Sequence, residues 1–271
     1  MFETSVGDAY RCIDPELLNE KHLEHNLRVD GRQLLESRPI LISSGDIKSC
    51  DSSSSVRIGN TKVMCGVNMR LCKPILQYPG RGLLHIRTQT SFSNPFQRSH
   101  KRNAVLSDVI SETILSSSFL DLNSLCVKRG VLCWCLMLDL TVIEDDGSLV
   151  DALIFAAVLA LKKVKLPKVD LDEEFEVNGV DVSQSELLKL SDNTPVMTTF
   201  LSMSSPRNRG HNVIVMDPND QEESIPSSGV IRVTVLGDNC KFAQNGTVLL
   251  NSHFVFEEAK KRTKFMLKLM N

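Results

Sequence analysis

The sequence lacks an excess of charge of either sign: 31 Lys and Arg stand against 33 Asp and Glu, a formal net charge of −2. This excludes a basic field over the whole molecule, so any contact with a polyanion has to come from a local patch or from partner chains. None of the eight cysteines stands in a C-x-x-C pair, and no H-E-x-x-H occurs among the six scattered histidines. Those absences argue against a zinc site. Most of the cysteines fall in apolar, strand-like runs and read as reduced core residues rather than disulfides. A long hydrophobic run is missing too: the longest, Ala152 to Leu161, is about half of what a bilayer requires. Met1 to Leu18 shows no basic segment followed by an apolar one, so secretion is not expected. There is no Walker loop and no G-x-G-x-x-G, and residue order alone brings no Ser-His-Asp set together.

What is present is a succession of short periodic segments. Asp14 and Pro15 suit the cap and first turn of a helix carrying Leu17, Leu18, Leu23 and Leu27. Pro39 to Ser43, Val56 to Ile58, Val63 to Met69 and Leu83 to Phe92 read as strands, with a tight turn at Gly59-Asn60. Asn103 to Leu120 repeats Val105, Val109, Ile110, Ile114 and Phe119 at helical spacing, behind a basic loop, Gln97 to Arg102. A long apolar strand, Val131 to Ile143, holds Trp134, which reads as core. Ser148 then caps a helix that is apolar almost all round and has to be buried. Pro195 to Met203, Asn212 to Met216, Val230 to Leu236 and Cys240 to Ala243 are four more strands, and Ser252 to Met270 a last helix. The order predicts an α+β fold with mixed β-sheets packed with helices. The expected divisions are an N-terminal helical extension (1–27), a first part (28–169), an acidic linker (170–193) and a second part (194–271).

Several motifs, in order and spacing, resemble one family. Arg28-Val-Asp-Gly-Arg32 resembles the opening of the RNase PH-like exosome subunits, and Ser54 to Thr61 with Val63 to Val67 their first hairpin. Leu125-Cys-Val127, Cys133-Trp134, Asp139 and Asp146-Gly147 to Ala152 are similar to the central strand and crossover helix. Leu166-Pro-Lys-Val169 and Met216 to Glu223 resemble the exit from that helix and a later hairpin. The resemblance spans about 26 to 266 and is nearest to the inactive branch of the eukaryotic subunits. It implies an RNase PH-like fold of the ribosomal protein S5 domain 2-like class. It also implies a hexameric ring with other RNase PH-like exosome subunits and their cap proteins, RNA as ligand, and no membrane. The compartments expected are nucleus, nucleolus and cytoplasm; the processes are 3′-to-5′ RNA degradation and rRNA processing.

Active members use phosphate to release nucleoside diphosphates, and the resemblance places their two catalytic Asp residues just ahead of the strand that follows the linker. Here Leu188 to Met203 holds Asp192 alone, and Thr198, Thr199 and Ser202 cannot ligate a metal as carboxylates do. Asp170, Asp172, Glu173, Glu174 and Glu176 read as a solvated charge run. No catalytic residue, metal or cofactor is therefore expected. Arg98, Lys101 and Arg102 lie ahead of a helix start, where backbone N–H groups favour anions, and are the candidate RNA-binding residues. A second basic loop, Arg207 to His211, reads as plain surface. The rival expectation is an active phosphorolytic 3′-to-5′ exoribonuclease with displaced carboxylates; a weaker one is a solitary RNA-binding module.

Overall fold

The computed structural model describes residues 15–23, 25–90, 98–171, 177–204, 212–225, 228–237, 239–245 and 252–270. Asp14, Cys12, residues 172–176 and the Arg207 to His211 loop lie outside them. In chain order the elements begin with α1 (Pro15–Leu23), β1 (Ile40–Ser44), β2 (Ser52–Ile58), β3 (Thr61–Cys72) and β4 (Leu83–Thr90). Then come α2 (Arg98–Ser116), a 3-10 turn (Leu122–Leu125), β5 (Cys126–Lys128), β6 (Leu132–Glu144) and α3 (Leu149–Lys162). The hairpin β7 (Lys165–Leu171) and β8 (Val177–Leu187) follows. The second part holds β9 (Val196–Ser204), β10 (Asn212–Met216), the single turn α4 (Asp220–Glu223), β11 (Ser228–Leu236), β12 (Asn239–Asn245) and α5 (Ser252–Met270).

The first sheet runs β1-β2-β3-β6-β4, with β5 paired to β6; the second runs β10-β9-β11-β12. All pairs are antiparallel except β4 with β6, which is parallel because α2 carries the chain between them. The apolar helix α3 contacts β2 and β3 of the first sheet and β9 of the second, so it is covered along its length. Every residue from Leu149 to Leu161 is buried. One continuous core joins these parts, running from Val56 and Leu138 of the first sheet through Phe155 to Met197 of β9 and Met266 of α5. Trp134 belongs to it, as the apolar strand around it predicts.

Four local expectations change. First, β2 starts at Ser52, four residues ahead of the first apolar residue in the strand. Serine has little strand preference, but the Ser52 and Ser54 hydroxyls donate to the Ala160 and Ala156 carbonyls of α3 at 2.7 Å. Second, the acidic stretch beginning at 170 is no plain linker, because β7 and β8 pair there as a two-stranded antiparallel sheet. Third, Ser148 occupies the cap position of α3 with a left-handed backbone, φ 49°, and its side chain makes no cap bond. Its hydroxyl donates to the Pro218 carbonyl instead. Fourth, Met216 to Glu223 is the end of β10 followed by one helical turn, not a hairpin. The Asn219 side chain accepts from the Glu222 N–H, and Glu222 accepts from the Asn219 N–H.

Candidate nucleic-acid interface

The basic cluster at 98–102 sits inside α2, whose first residue is Arg98, and not in a loop ahead of it. The apolar repeat that marks the helix starts only at Val105, so its polar first turn carries no periodic signal. Lys101 and Arg102 are exposed; the Arg98 side chain lies outside the described part. No acidic residue offsets the cations in the first turn, which leaves this helix end suited to anions. Arg102 is nevertheless not an open cation. Its Nη2 lies 2.8 Å from Oδ2 of Asp145, in the turn that leads into α3. At 60% side-chain exposure on the arginine, such a pair contributes less than about 1 kcal/mol and gives way to a competing phosphate.

That contact brings the amino ends of α2 and α3 together, and the two ends differ in charge. At α3 the Ser148 N–H donates to Oε1 of Glu223 at 2.8 Å, and the first turn presents Leu149, Val150 and Asp151. Burial, with Asp151 and Asp145 nearby, pushes the Glu223 carboxyl above its ordinary value. Asp151 points inward and accepts from the Thr199 N–H and hydroxyl at 2.8 Å and from Arg262 at 3.2 Å. Thr198 and Ser202 are buried on the opposite side of β9, as strand alternation requires, and Asp192 is exposed. Among the described residues, no group of three or more His, Cys, Asp and Glu is placed to hold a metal, and no helix is long and apolar enough to cross a membrane.

Behind these helix ends lies a buried ionic junction. Arg28 donates to Glu222 through Nε at 2.9 Å and to the Met216 carbonyl at 2.9 Å. Arg38 donates to both carboxylate oxygens of Asp217, through its N–H at 2.8 Å and Nη2 at 2.9 Å, and to the Gly147 carbonyl at 3.1 Å. Arg262 of α5 reaches Asp217 from the far side at 3.6 Å. The segments that carried the resemblance, 28–32, 146–152 and 216–223, thus meet at one place and clamp the two parts of the chain together.

A family model described as "3' exoribonuclease family, domain 1" matches residues 36–167. The exosome complex component Rrp42 of Methanothermobacter thermautotrophicus is 31% identical over 247 residues, 89% of this chain and 85% of that protein. The chain belongs to the RNase PH-like exosome core subunits. Solved structures of that family agree. A chain of an archaeal exosome core superposes with a TM-score of 0.72 at 26% identity, covering 94% of each chain. A chain of the Archaeoglobus fulgidus exosome with RNA bound to the active site gives 0.73 at 27%, covering 95% of this chain and 100% of that one. The RNase PH-like fold expected from the motifs is the one observed.

Sequence reasoning placed Arg98, Lys101 and Arg102 just ahead of a helix start and missed two carboxylates: Asp145, which pairs with Arg102, and Glu223, which takes the Ser148 N–H at the amino end of α3. Asp145 lies 43 residues from Arg102, and Glu223 lies 75 from Ser148. Only the acidic pair Asp145-Asp146 beside a helix start hinted at a charged contact.

Proposed function

We propose that this chain is a non-catalytic subunit of an RNA exosome ring. In that role it helps assemble RNase PH-like neighbours and cap proteins and guides RNA along the first turn of α2. Within the family the Leu125-Cys-Val127 and Leu166-Pro-Lys-Val169 segments are most like those of the eukaryotic subunit called exosome component 8. Its role would then lie in 3′-to-5′ RNA degradation and rRNA processing, in nucleus, nucleolus and cytoplasm.

The observation that carries the loss of catalysis is the occupied amino end of α3. Phosphorolysis needs an inorganic phosphate held against the RNA, and a helix amino terminus suits an anion. Here the chain's own Glu223 carboxylate accepts the Ser148 N–H at 2.8 Å, with Leu149 and Val150 where cations or hydroxyls would serve. A second anion at that place meets like charge from Glu223, Asp145 and Asp151. The reassembled ring in which this chain is the only intact RNase PH-like subunit is expected to release no nucleoside diphosphate from RNA when phosphate is added. Phosphate-dependent release that Arg98→Ala abolishes would establish the enzymatic reading instead.

The guiding role has its own test. Replacing Arg98, Lys101 and Arg102 together by alanine in the assembled complex should weaken RNA binding. It should also flatten the dependence of log K on log salt by about 0.7 for each RNA phosphate that is no longer neutralised. Asp145→Asn, which releases Arg102, should act in the opposite direction. Unchanged affinity and slope in the triple variant would remove this helix end from the RNA path.

A further inference from the structure

We propose that Cys72 and Cys133 are a dithiol that a peroxide-class oxidant converts to a disulfide, so that this end of the first sheet is a modification site. Four cysteines from three strands meet here. Cys72 is the last residue of β3, Cys126 the first of β5, and Cys133 and Cys135 lie near the start of β6. The strand register sets Cys72 directly opposite Cys133, with Cys126 opposite Cys133 on its other side and Arg70 opposite Cys135.

Directly opposed residues of an antiparallel pair have Cα atoms about 4.5–5.5 Å apart, inside the roughly 4.4–6.8 Å that disulfides span. The Cys72 and Cys133 sulfurs are already 3.6 Å apart. Forming the bond requires rotation of the two side chains and no slip of either strand. Access orders the steps. Cys72 is half-buried and open to a small oxidant, whereas Cys133 is fully buried and is reached through Cys72.

The Cys72 sulfur breaks the O–O bond of the peroxide and takes one hydroxyl, giving a sulfenic acid and one water. The Cys133 sulfur then attacks that sulfur; its proton leaves with the hydroxyl as a second water while the S–S bond forms. Two electrons pass from the thiol pair to the peroxide. The second step is fast for its chemistry because the partner is held in place beside the reacting atom. Burial, followed by the hydrogen bond to Cys72, pushes the Cys133 thiol up to about 12. The resting Cys133 thiol is therefore protonated, and its attack on the oxidised Cys72 sulfur quickens as pH rises. Once formed, the bond pins the end of β3, where the chain enters the segment bearing exposed Leu76 and Tyr78, to the start of β6.

The test treats the reduced full-length chain with hydrogen peroxide, alkylates the remaining thiols, digests without reductant and identifies linked peptides by mass spectrometry. A Cys72–Cys133 link is expected while Cys126 and Cys240 are recovered alkylated. C72S should abolish it without changing the far-ultraviolet circular dichroism spectrum. C133S should leave Cys72 as a sulfenic acid that dimedone traps. The inference is overturned if Cys72 and Cys133 are both recovered alkylated while other cysteines oxidise. It also fails if Cys72 links to Cys135, or if dimedone traps Cys72 in the unaltered chain in place of the link.

Discussion

Replacing Asp217 by alanine is expected to lower the stability of the chain by about 3–5 kcal/mol, read from the midpoint and slope of urea unfolding. The carboxylate is wholly buried and holds Arg38 at 2.9 Å and Arg262 at 3.6 Å. Removing it takes a shared counter-charge from two buried guanidinium groups, leaving Arg262 with Asp151 at 3.2 Å and Arg38 with Asp146 at 3.6 Å, and that deficit of negative charge sets the size of the effect. Asp217→Asn separates charge from shape. Asp217 has a left-handed backbone, φ 54°, which asparagine tolerates, so the Asn variant keeps the backbone and the volume and loses the charge together with one of the two oxygens that accept from Arg38.

The pH dependence has a definite sign. The Arg262 and Arg38 guanidinium groups outweigh burial and hold the Asp217 carboxyl well below the usual carboxylate range. Its stabilising contribution is present above the unfolded value near 4 and is lost as pH falls through the lower folded value. Burial pushes Asp151 the other way, upward, against the attraction of Arg262. Its contribution is complete below the unfolded value and declines as pH rises through the folded one. Urea midpoints across pH 3–6 (about the range in which carboxylates titrate) should therefore fall in acid less steeply for Asp217→Asn than for the unaltered chain. An unchanged slope would show that Asp217 does not carry that part of the dependence.

The second large effect is expected from Gly147→Ala. At φ +82° a side chain costs about 1–2 kcal/mol wherever it stands. Here an added Cβ would also sit 2.5 Å from the Asn219 carbonyl carbon and the Pro218 oxygen and 2.7 Å from the Asp220 nitrogen. All three are backbone atoms, which cannot rotate away as a side-chain tip does. Overpacking of this kind adds about 1–3 kcal/mol, so the total reaches about 2–5 kcal/mol. Gly130→Ala supplies the control: its φ is +77°, but nothing lies within 4 Å of the new atom. A urea midpoint for Gly147→Ala no lower than that for Gly130→Ala would mean that the two segments do not press together as described.

Both predictions fall on the junction, where segments that carry the family resemblance meet. Arg28-Val-Asp-Gly-Arg32, Asp146-Gly147 and Met216 to Glu223 are among the pieces whose order and spacing were readable, and in the structure they fasten the fold. Arg28 is spent on Glu222 and Arg38 on Asp217; Gly147 is where two backbones touch. The strands around Val63 and Leu138 and the helix at Leu149 to Lys162 were readable because their apolar residues repeat at the period of the element they form. The start of β2 was hidden because the Ser52 and Ser54 hydroxyls are satisfied by helix carbonyls about a hundred residues away. The site was legible only in half. Arg98, Lys101 and Arg102 stand close together in the chain, whereas Asp145, which pairs with Arg102, lies 43 residues away.

What the sequence by itself determined is therefore what depends on near neighbours: element types, the buried helix, the lack of metal and nucleotide motifs, and the order of motifs that marks the family. Tertiary structure alone decided which charges meet. It joined Arg102 to Asp145, set Glu223 on the Ser148 N–H, and brought Cys72 to within 3.6 Å of Cys133. The physical reason lies in range. Periodicity is written within one or two turns or a single strand, while a carboxylate 43 or 75 residues away looks the same in sequence whether it ends in water or against a cation.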